Sequence, residues 1–130
     1  MSNSVSGPRQ GTKVLVVEDD PTNATVITDY LAAHGYEVIC AGDGERGLAL
    51  FAQVSPDVVI VDVLLPRQTG LQVVRALRAS PAGARVPVLM MSAVWKDGHA
   101  EQPRPGEVQG YLVKPFRMSG LVERIRELLE

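Results

Sequence analysis

Residues 14–21 read VLVVEDDP, and this stretch decides the fold of the chain. Its four consecutive apolar residues predict a strand that is buried on both faces. Asp20 suits the N-cap of a helix and Pro21 suits the first helical position, so the strand leads directly into a helix. A buried strand that is followed at once by a helix is typical of a parallel sheet covered on both sides.

The same alternation of strand and helix continues along the rest of the chain. Further strands are predicted over 36–40, 57–62, 86–91 and 111–113, and helices over 21–34, 45–54, 71–79 and 118–129. The central strands are apolar throughout, and the helices carry apolar residues at helical spacing. We therefore expect an α/β protein with one doubly wound, five-stranded parallel sheet. It forms a single domain over 13–130, preceded by a flexible arm over 1–12.

Composition limits the possible functions. The 130 residues correspond to about one domain. Fifteen acidic and 13 basic residues give a net charge of −2 without a basic stripe, which argues against a nucleic-acid surface. Cys40 is the only cysteine, so an internal disulfide is excluded, and no spacing of Cys and His suggests zinc. No apolar run is long enough for a signal peptide or a membrane span, so we expect a cytoplasmic protein.

Charged and hydroxyl side chains end four of the five predicted strands. Glu18 and Asp19 follow the first strand, and Asp62, Ser92 and Lys114 end the third, fourth and fifth. Ligands of such sheets bind at the carboxyl ends of the strands, where these side chains should converge.

The residue types at this edge indicate a chemistry. Three carboxylates repel one another unless a cation lies among them, and oxygen ligands favour Mg²⁺ or Mn²⁺ over zinc. Together with the ammonium of a lysine and the hydroxyl of a serine, these carboxylates provide the groups needed for phosphoryl transfer to an aspartate. Asp57 begins the third strand rather than ending it, so we expect it to be a solvated strand entry.

Four short motifs give the chain a family resemblance. They read VVEDDP over 16–21, VDVLLP over 61–66 with Gly70 following, MSA over 91–93 and YLVKPF over 111–116. In this order and spacing they resemble the receiver domain of bacterial two-component response regulators. The resemblance covers about residues 12–129. It implies the flavodoxin-like, CheY-like fold with strand order 2-1-3-4-5.

The resemblance also implies roles for the acidic residues. Asp62 would be the phosphoacceptor. Glu18, Asp19 and Asp62 would hold Mg²⁺ together with the backbone carbonyl of Leu64. Mn²⁺ is a possible substitute for Mg²⁺.

The remaining matching residues would bind the phosphoryl group and respond to it. Ser92 and Lys114 would contact the phosphoryl group, and Lys114–Pro115 should be a cis peptide. Ser92 and Tyr111 stand at the positions of the family's switch residues.

The function that the resemblance implies is that of a phosphorylatable signalling receiver in a two-component system or phosphorelay. A sensor histidine kinase or a histidine phosphotransfer protein would donate the phosphoryl group, and the protein would act as a switch rather than a turnover enzyme. Two alternatives stay open. One is a degenerate receiver that binds proteins independently of phosphorylation, and the other is the receiver part of a longer regulator with an output domain.

The segment over 94–110 departs from the family pattern, which has a fourth helix here. Pro103 and Pro105 each cost about 3 kcal/mol inside a helix, and Gly98 and Gly106 add about 1 kcal/mol each. Apolar residues at helical spacing are nearly absent. We expect at most one or two helical turns before Pro103 and an irregular, mobile backbone elsewhere.

Overall fold

The computed structural model of the protein describes residues 11–92 and 102–130. In these residues the strands and helices follow one another in the order β1 (Lys13–Val17), α1 (Pro21–Ala33), β2 (Glu37–Ala41), α2 (Gly44–Val54), β3 (Val58–Asp62), α3 (Gly70–Arg78), β4 (Val88–Ser92), β5 (Gly110–Val113) and α4 (Met118–Leu129). The parallel strands form one sheet in the order β2-β1-β3-β4-β5, which confirms the predicted architecture. None of the helices in these two ranges has the length and hydropathy that a membrane span requires.

The three central strands are buried on both faces because helices cover both sides of the sheet. On one face Val59 and Val61 pack with Phe51 of α2 and Val74 of α3. On the other face Ile60 packs with apolar side chains of α1 and α4. Side chains alternate between the two faces of a strand, which is why these strands are apolar at every position.

Side-chain caps fix where α1 and α3 begin. Asp20 accepts a hydrogen bond from the backbone N–H of Thr22 at 3.0 Å, as its position before Pro21 predicts. Thr69 and Gln72 form a reciprocal capping box at the start of α3, with bonds of 3.2 and 2.8 Å. The capping box starts α3 only a few residues after the end of β3.

Segment 94–110, which departs from the family pattern, has no helix in the part that the structure describes. Residues 102–109 form turns and an isolated bridge, which confirms the irregular backbone expected there, whereas 93–101 lie outside the described residues. Glu107 nevertheless ties this part to α3, because its carboxylate accepts hydrogen bonds from the Arg75 side chain at 2.8 and 3.2 Å. The contact joins residues 32 positions apart, and whether the segment is mobile stays a prediction.

Glu107 should make stability depend on pH. Hydrogen bonds from Arg75 and from the backbone of Arg104 lower its pKa from 4.5 to about 2. A depressed carboxyl pKa stabilises the folded state above the unfolded pKa, and this contribution is lost as the pH falls from 4.5 towards 2. Glu107→Gln should therefore lower the urea midpoint most at neutral pH, with a difference from the wild type that narrows in acid.

Urea unfolding of both proteins from neutral pH down to about 3 measures this difference. The control is Glu123→Gln, which changes an exposed glutamate on α4 and should leave a small difference at every pH. A Glu107→Gln difference that stays constant across the pH range would contradict the prediction.

Candidate functional site

The sheet brings the four predicted strand-end positions to one edge. Glu18 follows β1 directly, Asp62 is the last residue of β3, Ser92 is the last residue of β4 and Lys114 follows β5. The strand order places β1, β3, β4 and β5 side by side, so all four positions lie at the carboxyl edge. Asp57 lies at the opposite edge, exposed, where it accepts a hydrogen bond from the N–H of Lys13 at 2.8 Å.

Lys114 joins the two buried carboxylates of the site. Its Nζ lies 2.5 Å from Oδ2 of Asp62 and 3.5 Å from Oε1 of Glu18. The side chains of Asp62 and Glu18 are 8% and 2% exposed, whereas that of Lys114 is 28% exposed. One ammonium group therefore faces two largely buried carboxylates. Together these three side chains carry one uncompensated negative charge.

The pKa shifts reflect this imbalance. Burial raises the pKa of the Glu18 carboxyl, and the charge of Asp62 raises it too, against the opposing effects of the Asp20 N–H and of Lys114. Burial lowers the pKa of Lys114, but the hydrogen bond and charge of Asp62, helped by Glu18, outweigh it, so the pKa is raised. Lys114 thus stays an ammonium, and an added cation would favour the charged form of the Glu18 carboxyl.

Backbone groups hold the carboxylates in place. Oδ1 of Asp62 accepts a hydrogen bond from the N–H of Leu64 at 3.0 Å, and Oε2 of Glu18 accepts one from the N–H of Asp20 at 3.1 Å. Gly70 lies against the backbone of Asp62, where a Cβ would clash with the carbonyl oxygen, so the loop after β3 folds closely over the strand end. Both carboxylates are therefore oriented before any ligand arrives.

The other predicted metal ligands are less enclosed. Asp19 is exposed, and residue Leu64 as a whole is 62% exposed. Among residues 11–92 and 102–130, no three His, Cys, Asp or Glu side chains are already arranged to hold a metal ion. Magnesium commonly keeps several waters and uses one or two carboxylates, so the oxygen donors and excess negative charge of Glu18 and Asp62 fit it.

The residues predicted to bind the phosphoryl group, or to change conformation in response to it, lie on or directly after β4 and β5. Ser92 is buried at the end of β4, beside the strand that carries Asp62. Tyr111 is 41% exposed and lies on the opposite face of β5 from Leu112, which packs with the core. The Lys114–Pro115 peptide is cis, as the resemblance implies. The roles of Ser92 and Tyr111 stay predictions.

The strand order and the architecture define a doubly wound α/β protein of the CheY-like class. The chain matches the response regulator receiver domain over residues 14–126. It therefore belongs to the receiver domain family of two-component signalling.

Relatives with sequence and structural similarity agree with this assignment. The DNA-binding dual master transcriptional regulator RpaA of Synechocystis sp. is 34% identical over 90% of this chain and 48% of its own length. The probable transcriptional regulatory protein TcrX of Mycobacterium tuberculosis is 38% identical over 92% of this chain and 50% of its own. The chain thus spans about half the length of the curated relatives that it matches.

A solved structure resembles the whole fold. The receiver domain of the sensor histidine kinase PA1611 from Pseudomonas aeruginosa, with a magnesium ion coordinated in its active-site cleft, superimposes with a TM-score of 0.84. It is 31% identical, and the match covers 92% of this chain and 98% of that one.

Proposed function

We propose that this receiver accepts a phosphoryl group on Asp62. The observation that carries the proposal is the contact of the Lys114 ammonium with both Asp62 and Glu18 at the carboxyl edge of the sheet. The ammonium neutralises charge on the phosphoryl oxygens, while the shielded carboxylate of Asp62 supplies the attacking oxygen. The Ser92 hydroxyl, on the neighbouring strand, serves as a further contact for the phosphoryl group.

The transfer conserves atoms and charge. A carboxylate oxygen of Asp62 forms a bond to phosphorus as the phosphorus–nitrogen bond of a phosphohistidine breaks, and the imidazole ring takes up one proton so that it leaves as a neutral imidazole. The product is an acyl phosphate on Asp62. Each cycle changes the state of the receiver itself, so the protein acts as a switch and not as a turnover enzyme.

A divalent cation belongs to this proposal. Glu18, Asp62 and the exposed Asp19, with the backbone carbonyl of Leu64, would hold Mg²⁺, and Mn²⁺ has the same preference for oxygen. The cation would supply positive charge that neutralises the phosphoryl oxygens. The support is the chemistry of the donor set and the unbalanced negative charge beside Lys114.

The proposed donor is a sensor histidine kinase or a histidine phosphotransfer protein. A groove of about 540 Å³ lies between α1 and the chain after β5, and Glu18 and Lys114 form part of its wall. Val26, 51% exposed, and Phe116 give the groove an apolar lining next to the site, which suits a protein partner. The single exposed thiol of Cys40 suits a reducing cytoplasm as the place of this exchange.

Labelling of the wild-type chain tests the proposal. Acetyl phosphate with Mg²⁺ should add one phosphoryl group, and chelation of the metal should prevent it. Borohydride reduction of the acyl phosphate, followed by peptide mapping, should identify Asp62. Absence of labelling under these conditions would contradict the proposal and favour a binding module that works without phosphorylation.

Leu64 should make the phosphoryl group long-lived. Leu64 lies two residues after Asp62 and is 62% exposed, so its side chain presents an apolar surface beside the acceptor. A water that attacks the acyl phosphate finds no polar group on this side chain to orient it. Leu64→Asn should therefore shorten the lifetime by roughly tenfold, less than the hundredfold or more that a positioned acid or base contributes.

The decay of the phosphorylated protein after donor removal measures this effect. Leu65→Asn is not a suitable control because Leu65 packs against the core, whereas Leu129→Asn changes an exposed apolar residue at the end of α4. An unchanged or slower decay in Leu64→Asn would contradict the prediction. The companion position that the sequence suggests, Val94, lies outside the described residues.

A further inference from the structure

β5 carries Lys114 to the site, yet few apolar contacts hold this strand. Among the residues that the structure describes, it lies at the edge of the sheet, has four residues and pairs with β4 alone. Its one buried residue is Gly110, while Tyr111 and Val113 are 41% and 42% exposed. A strand with so little buried side-chain surface specifies its register weakly.

Gln109 supplies a register contact immediately before this strand. Its backbone N–H donates to the carbonyl of Val88 at 2.9 Å, and its side-chain Oε1 accepts from the N–H of Val88 at 2.8 Å. One residue thus engages both polar backbone groups of the first residue of β4. A shift of β5 by one residue would break both hydrogen bonds.

Arg78 of α3 holds Gln109 from the other side. Its Nη2 donates to Oε1 of Gln109 at 2.9 Å and to the carbonyl of Glu107 at 3.0 Å. Its Nη1 donates to the carbonyls of Gly83 and Val86 at 2.9 and 2.7 Å. The guanidinium therefore joins the loop after α3 to the residues that precede β5, and it orients the Gln109 amide.

The register of β5 at its amino end determines the position of Lys114 after its carboxyl end. Lys114 follows Gln109 by five residues, about 17 Å along an extended chain. A slip of one residue turns each side chain to the opposite face, which would take the ammonium away from Asp62. Phosphoryl transfer is sensitive to such displacement, since a misplacement of about 1 Å can cost a hundredfold in rate.

We propose that Gln109, held by Arg78, is a positioning residue for phosphorylation of Asp62, because it fixes the register of β5 and thereby places Lys114. The inference rests on the proposed function of Asp62. It adds a structural requirement at the amino edge of the sheet, distant from the acceptor and outside the motifs at the carboxyl edge.

Two substitutions of Gln109 separate its hydrogen bonds from its size. Gln109→Met keeps a similar length but removes the acceptor for Val88 and Arg78. Gln109→Glu keeps that acceptor and loses only the donor to the Gly106 carbonyl, a bond of 3.2 Å. With acetyl phosphate and Mg²⁺, Gln109→Met should be phosphorylated roughly tenfold more slowly than wild type, and Gln109→Glu should stay close to it.

Magnesium affinity distinguishes positioning from a general loss of structure. Lys114 is not among the proposed metal ligands and its ammonium repels a cation, so calorimetry should find in Gln109→Met a Mg²⁺ affinity no lower than that of the wild type. Amide exchange over 110–113 should become faster in Gln109→Met, which reports the loosened strand directly. If Gln109→Met fails to fold, Arg78→Lys replaces it, because lysine cannot bridge the same acceptors and should slow phosphorylation without lowering the Mg²⁺ affinity.

A double-mutant cycle tests whether Gln109 acts through Lys114. In a Lys114→Met background, Gln109→Met should cause no further loss of phosphorylation rate. Wild-type rates in Gln109→Met, a parallel loss of Mg²⁺ affinity, or losses that add in the double variant would each overturn the inference. A wild-type chain that takes no phosphoryl group on Asp62 would instead overturn the proposed function.

Discussion

Asp62→Asn is expected to abolish phosphorylation by acetyl phosphate while the protein stays folded. The amide lacks the anionic oxygen that attacks phosphorus, so no acyl phosphate can form at this position. The amide oxygen can still accept the hydrogen bond from the N–H of Leu64, and Lys114 retains its contact with Glu18. Intact-mass spectrometry measures the bound phosphoryl group, and circular dichroism checks the fold.

Asp57→Asn is the matched control for this experiment. Asp57 belongs to the same strand region but lies at its other end, where it binds the N–H of Lys13. Its amide can keep that bond, so Asp57→Asn should be labelled like the wild type. Labelling that survives in Asp62→Asn, or that disappears in Asp57→Asn alone, would show that another residue is the acceptor.

Lys114→Met should slow phosphorylation by about a hundredfold to a thousandfold, comparable to the loss of a key charge-stabilising donor in other enzymes. Methionine keeps much of the side-chain length but removes the ammonium that contacts Asp62 and Glu18. Two shielded carboxylates then face each other without their cation, so charge on the incoming phosphoryl oxygens is less well neutralised. Initial rates with acetyl phosphate at saturating Mg²⁺ measure the effect.

Lys13→Met controls for the loss of one positive charge from the molecule. Lys13 begins β1 at the opposite edge of the sheet, and its side chain has no part in the site. Its rate should stay within about twofold of the wild type, as for a surface substitution away from the chemistry. Equal rates in Lys114→Met and the wild type would contradict the assigned role of Lys114.

Much of the fold follows from local sequence patterns. The apolar runs in β1, β3 and β4 predict strands that are buried on both faces, and the structure confirms this burial. Predicted and observed ends differ by one or two residues, as at β4, where Pro87 supplies no N–H and the strand begins at Val88. Asp20 and Pro21 correctly mark the start of α1.

The site is predictable for a related reason. Parallel strands end at a common edge, so the residues that follow them converge even when they are 96 positions apart, as Glu18 and Lys114 are. The topology therefore brings together Glu18, Asp62 and Lys114 without any local motif that spans them. The distances and the enclosure of each carboxylate depend on side-chain packing and could not be predicted from strand order.

The contacts around Arg78 could not be predicted from the sequence. Arg78 and Gln109 are 31 residues apart, and both lie where polar residues usually face solvent. No periodicity marks an arginine that binds several backbone carbonyls, because such contacts depend on where two loops meet. The prolines of segment 94–110 correctly predict an irregular backbone over 102–109. They do not predict which charged side chains hold this backbone against α3.

Cys40 gives experimenters a ready attachment point. It is the only cysteine of the chain and is exposed on the edge strand β2, where its Sγ lies 2.8 Å from the hydroxyl of Thr28. It pairs in register with Val16, two residues before Glu18 on the adjacent strand. A maleimide dye would therefore attach at one known position, near the strand end that leads to Glu18, with no other cysteine to remove first.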